Sequence, residues 1–231
     1  MLPDRFWKRE MAEDLKSKKA LLLKFLVPLI FLVPLLIAPI PTVARASGFV
    51  MVILFVGIFG SAVRLARLRE SRMLERLAVL PLSPRQMVAE YIGAHSVFDM
   101  LQLAVPLLIF TSMVHPLPIG VLWIGVSYVA SIVGANALGV LVALMAGSSG
   151  EGHLYGILTV LIAAGLSGLF FVTLPDALQG IGLLLPFRYL VDAFVSGGAG
   201  VNPYLMVQGA AVGGVLVVLV FLVSPRLFRF A

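Results

Sequence analysis

Apolar blocks about 20 residues long recur through this 231-residue chain, parted by short charged or Pro- and Gly-rich links. That length matches the hydrocarbon thickness of a bilayer. In lipid, backbone N–H and C=O groups find no water, so each block must satisfy them internally as a helix. The composition agrees: 61% apolar, 12% charged, mean hydropathy +1.08. The expected fold is an all-α polytopic membrane protein, one transmembrane domain over 1–231. Its six transmembrane helices are expected at 20–40, 47–66, 92–114, 119–146, 154–174 and 204–223. An interfacial helix at 1–19, a charged cytoplasmic region at 64–91 and a short broken extracytoplasmic or re-entrant helix pair within 175–203 complete the expectation.

The net charge is +6 and the pI near 10. Such a balance can mark a nucleic-acid binder, but here the basic residues flank apolar spans. Seven Lys and Arg lie in 1–24, six in 64–91 and two after residue 223; only Arg45 and Arg188 fall elsewhere. The positive-inside rule therefore puts both termini and the 64–91 region in the cytoplasm, in a multi-pass protein of the cell membrane with no nucleic-acid partner. Cysteine is absent, which removes disulfides and thiol chemistry.

Arg64 to Tyr91 holds six arginines and three glutamates in an otherwise nearly charge-free chain. Leu65, Leu68, Met73, Leu77 and Leu80 give an irregular helical spacing that Pro81 ends. Ser83 and Pro84 signal a new helix, Ser83 as N-cap and Pro84 at the first helical position. Two helices broken at such an elbow form a protrusion suited to a soluble partner.

At the N-terminus, Trp7, Met11 and Leu15 repeat every four residues beside Phe6, with lysines and arginines around them. That pattern predicts a helix lying in the membrane interface. Ala44-Arg45-Ala46 imitates a signal-peptide cleavage site, but the apolar run before it is too long and its leader is amphipathic. Pro28, Pro34 and Pro39 are expected to kink the first span. Gly147 to His153 reads as a flexible loop. Pro186 splits two short apolar stretches, Ala177–Leu185 and Phe187–Val195. Neither is long enough to span, so the pair is expected to dip into the membrane or lie on it.

Small residues recur every four positions in the fourth span: Ser127, Ser131, Ala135, Gly139 and Ala143. This ridge allows close approach of another helix, within the chain or in a dimer; Gly209 and Gly213 repeat it in the sixth span. His95 and Asp99 share a face of the third span. An intramembrane carboxylate is a candidate proton or cation relay. The alternative is structural, an acid near the boundary pairing with His95 or an arginine, and the lack of further acids at depth favours it. Gln102 and Asn136 are read as ties between helices, and Arg188 with Asp192 as an ion pair within one helix. No catalytic set emerges, no Walker-type phosphate loop and no metal-ligand spacing among the three histidines.

Taken in order, these features resemble the membrane subunit of ABC transporters of the type-2 exporter class, the ABC-2-like permeases. The resemblance covers essentially the whole chain. Its most specific stretches are Arg72-Met73-Leu74-Glu75-Arg76-Leu77 with Leu80-Pro81-Leu82-Ser83, and Leu185-Pro186-Phe187-Arg188-Tyr189-Leu190-Val191-Asp192-Ala193-Phe194. The first is similar to the family's Gly-Thr-Leu-Glu-like segment and its Pro-x-Ser turn, with Arg72-Met73 in place of Gly-Thr. The second is similar to its Pro-x-x-Tyr-x-x-Glu-Ala segment, with Asp192 in the acidic place. The resemblance implies a permease that is not itself an enzyme and binds no cofactor. ATP and Mg would be bound by a separate ABC ATP-binding subunit, and a second permease copy, or a paralogue, would pair with this chain. Coupling contacts would fall on Glu70, Glu75, Arg76, Ser83, Pro84, Arg85, Gln86 and Met87. The cargo would be hydrophobic or amphipathic. The competing readings are a proton-coupled secondary transporter using Asp99 and a non-transporting membrane scaffold.

Overall fold

The computed structural model of the protein describes residues 18–71, 83–170, 175–197 and 203–223. Every regular element among them is helical. In chain order these are α1 (Lys18–Ile37), α2 (Thr42–Glu70), α3 (Pro84–Val114), α4 (Pro118–Met145), α5 (Ser149–Leu166), α6 (Asp176–Gly182), α7 (Pro186–Ser196) and α8 (Pro203–Val223).

Four of these, α2, α3, α4 and α8, are long and apolar enough to cross a membrane. The pair α6 and α7, bent by 91°, makes a fifth if counted as one broken span. By length and composition the count among the described residues is thus four or five, where six were expected over the whole chain; α1 has the shorter apolar run Leu22–Ile37. The expected interfacial helix falls on residues outside those described, except that Lys18 and Lys19 open α1.

Several boundaries moved. α1 runs through Pro28 and Pro34 and stops at Ile37, so Pro39 sits in the turn rather than in the helix. The second span was expected from 47 to 66; the helix starts at Thr42, after Pro41, and continues to Glu70. The third begins eight residues early, at Pro84, because Ser83 caps it and its side chain accepts the Gln86 N–H at 3.2 Å. The expected flexible loop at 147–153 is mostly helix. Ser148 accepts the Glu151 N–H at 3.2 Å and Glu151 reaches back to the Gly147 N–H at 2.7 Å, a variant of the capping box. α5 accordingly starts at Ser149 and ends at Leu166, before the expected 174.

α4 is the hub. Of its apolar stretch 67% is buried, and of that of α2 61%, whereas α3 and α8 bury 28% and 22%. The small-residue ridge explains the difference. A side chain at Gly139 would meet the Ile58 and Gly57 carbonyls of α2 at 2.6 and 2.9 Å, and one at Gly134 would meet Pro186 of α7 at 2.7 Å. On α8, Gly209 lies against Tyr189 and Gly213 against Ala130. Opposite the ridge, α2 widens into a π-helical turn at Phe55–Phe59. At the other end of α2, an aromatic cluster binds three elements: Phe194 of α7 stacks on Phe110 of α3 at 4.3 Å and meets Phe49 of α2 edge-on at 5.5 Å.

Candidate functional site: a buried polar cluster and a clasp at the end of α2

One turn past the π-helical stretch, α2 turns Ser61 and Arg64 toward α3 and α4, where they meet the polar residues of those spans. Ser61 Oγ donates to Asn136 Oδ1 at 2.5 Å. The other end of that amide, Nδ2, donates to Asp99 Oδ2 at 2.8 Å and to the Ile132 carbonyl at 3.2 Å. Asn136 is fully buried, and Asp99 is 8% exposed. Arg64 Nη1 lies 3.0 Å from His95 Nδ1 and 3.2 Å from Nε2, so it can donate to whichever ring nitrogen lacks a proton. Tyr91 packs its ring against His95 and its hydroxyl donates to the Ser61 carbonyl at 3.3 Å. These groups surround a cavity of about 40 Å³, room for a few waters.

Three helices are therefore joined at one level by polar side chains in apolar surroundings. Such a network rigidifies when its members are satisfied and is costly when one is removed. His95 and Asp99 do share a face, but their hydrogen bonds run to Arg64 and Asn136 on other helices. Gln102 ties α3 to α1 through the Lys24 carbonyl at 2.5 Å. Among the described residues no group of three or more His, Cys, Asp or Glu could hold a metal ion.

The second feature lies where α2 ends. Arg69 Nη1 donates to the carbonyls of Ala143 and Ala146, both at 2.9 Å, where α4 runs out of intrahelical donors. The next residue, Glu70, accepts the Ser149 N–H at 3.1 Å with its carboxylate, at the first turn of α5. A cation thus sits on the negative end of one helix dipole and an anion on the positive end of the next. Adjacent residues of α2 clasp both sides of the α4–α5 turn.

Ser83 is exposed and caps α3, Pro84 is the first helical residue, and Arg85 and Gln86 are exposed. Met87 is buried, 4% exposed, so its side chain is not part of that open face. Glu75 and Arg76 lie outside the described residues. Ser127, Ser131, Ala135, Gly139 and Ala143 are all buried by helices of this chain, and Ser131 Oγ donates to the Pro186 carbonyl at 3.3 Å. Arg188 and Asp192 approach only to 4.0 Å on the open side of α7.

Ser61, Arg64, Arg69 and Tyr91 were not singled out in the sequence. The signal for Arg64 was available: it is the first charge after a long neutral stretch of α2. Arg69 had the weaker mark of a cation in a last helical turn.

A family model described as "ABC-2 family transporter protein" matches residues 42–224, from the first residue of α2 to just past α8. No curated protein matches the sequence.

Proposed function

The chain belongs to the ABC-2 transporter family, and on that premise we propose that it is the membrane-spanning permease of an ATP-driven exporter, worked by a separate ATP-binding subunit. The observation that carries this reading is the extent of the family match, which takes in α2 through α8 and the charged region around 64–91. The sequence has no phosphate-binding loop of its own, so ATP and Mg belong to the partner.

In this reading α1 and α5 cross the bilayer with the four longer helices, giving six spans, while α6 and α7 dip in from the outer face. An 18-residue helix such as α5 is about 27 Å long, close to the hydrocarbon thickness. Both termini and the 64–91 region face the cytoplasm of the cell, as the Lys and Arg distribution requires. A second copy, or a paralogous permease, completes the pathway.

The ATP-binding subunit docks around the break between α2 and α3, on the exposed Glu70, Ser83, Arg85 and Gln86 together with Glu75, Arg76 and Pro84. Arg69 and Glu70 support this route: a displacement of the docking region pulls directly on the α4–α5 turn as well as on α2 and α3. The cargo is hydrophobic or amphipathic, in keeping with apolar span surfaces. Reconstitution tests the proposal. ATP hydrolysis by the partner in proteoliposomes is expected to depend on the presence of this chain. An unchanged rate without it would count against coupling.

A further inference from the structure

α1, α2 and α3 enclose a cleft of about 530 Å³, within the range that accommodates drug-sized ligands. Its charged and amide side chains are engaged within the chain. The Lys24 ammonium lies 5.1 Å from the centre of the Phe98 ring and has further interactions, as Arg64 has beyond His95. Asp99 accepts from Asn136, and the Gln102 amide donates to the Lys24 carbonyl. What remains for an occupant is apolar wall: Val27 from α1, Val56 and Phe59 from α2, and Phe98 from α3.

α2 is shaped to make this space. Val56 and Phe59 belong to its π-helical turn, and Gly60 follows directly. Turns of this kind are rare and occur often at functional sites. On one side the turn is pressed against α4, where a side chain at Gly57 would meet Ala135 Cβ at 2.5 Å. On the other side Gly60 lines the cleft, and a Cβ there would meet nothing within 4 Å. The cleft is also open to lipid. α2 and α3 are both long and apolar enough to cross a membrane, and Leu23 and Val27 on the α1 wall are 56% and 46% exposed. A water-soluble ligand would find little here to bond with, whereas a hydrocarbon chain matches the wall and has a path from the bilayer.

We propose that the cleft holds one hydrocarbon chain of a bilayer phospholipid, laid along Val27, Val56, Phe59 and Phe98. It takes the lipid by its chain and not by its head group, which stays in the lipid layer. This binding belongs to the chain alone and does not rest on the proposed ATP-binding partner.

Native mass spectrometry of the full chain tests this, with phosphatidylcholine and phosphatidylglycerol of the same acyl chains at equal mole fraction. One lipid should be retained, and the two head groups should be retained alike. Gly60→Leu puts a side chain into the open space of the cleft at a helical position, so it should fold with an undiminished melting temperature. Its retained lipid should fall about tenfold. Val27→Trp fills the same cleft from α1 and should give a similar loss. Gly125→Leu, on α4 away from the cleft and also with open space around it, should keep the lipid. Unchanged retention by Gly60→Leu or by Val27→Trp would overturn the proposal, as would an equal loss in Gly125→Leu. A clear preference for either head group would also overturn it, by making the head group the part that is recognised.

Discussion

Arg69 and Ala146, 77 positions apart, meet at 2.9 Å where the arginine Nη1 donates to the alanine carbonyl beyond the end of α4. With Glu70 on the Ser149 N–H, this contact fastens the end of α2 to both sides of the α4–α5 turn. Arg69→Ala would leave the carbonyls of Ala143 and Ala146 without that donor. Hydrogen bonds to a charged group contribute about 1.5–3 kcal/mol, so the melting temperature of the purified protein should fall clearly. Transport should fall further than binding of the ATP-binding subunit, because Arg69 is not among the residues proposed to dock it. A variant that loses both in proportion would show that Arg69 only supports folding.

Glu70→Lys places a cation at the N-terminal end of α5, where the helix dipole disfavours it. Glu70→Gln keeps an acceptor for the Ser149 N–H. Hydrogen exchange at the first turn of α5 should therefore rise in the lysine variant and stay near that of the unaltered chain in the glutamine variant. Equal exchange in all three would remove Glu70 from the clasp.

Asn136 serves Ser61 and Asp99 at once. Asn136→Ala leaves a buried carboxylate and a buried hydroxyl without their partner, at a cost of about 1–3 kcal/mol for each group. Asp99→Asn keeps the shape and a hydrogen-bonding oxygen, so its stability should change little. Transport by Asp99→Asn should stay near normal if the cluster is structural. Abolished transport with the ATP-binding subunit still bound would instead favour a proton relay through Asp99.

Gly139→Ala puts a methyl group 2.6 Å from the Ile58 carbonyl and 2.7 Å from Ser61 Cβ. Such overpacking costs about 1–3 kcal/mol. This exceeds the gain of up to about 1 kcal/mol from replacing glycine in a helix. Gly125, on the same helix, has open space around it. Gly125→Ala should be neutral or mildly stabilising, and thermal unfolding of the two variants in one detergent separates them.

The parts of this architecture that follow from local chemistry could be read in the sequence. Ser83 before Pro84 started a helix, Pro186 marked the bend between α6 and α7, and the four-residue spacing from Ser127 to Ala143 announced close packing. What those residues pack against could not be read, because contact across helices leaves no periodic trace. Asn136 was legible as a tie between helices, but not that its amide would join Ser61 to Asp99. The π-helical turn at Phe55–Phe59 was also hidden, since one extra residue per turn is invisible in a run that is apolar all round. Gly147 to His153 misled in the other direction. Its glycines suggested a loop, while Ser148 and Glu151 supplied the caps that start α5.

Work by a separate ATP-binding subunit, passed through the region between α2 and α3, is what the proposed function requires. Affinity purification of the full chain from its native membrane in mild detergent, with mass spectrometry of what accompanies it, tests this most directly. The expected result is a stoichiometric partner carrying a Walker-type phosphate loop, lost when Glu75 and Arg76 are both reversed in charge. Recovery of well-folded protein without such a partner, under conditions that preserve other membrane complexes, would contradict it.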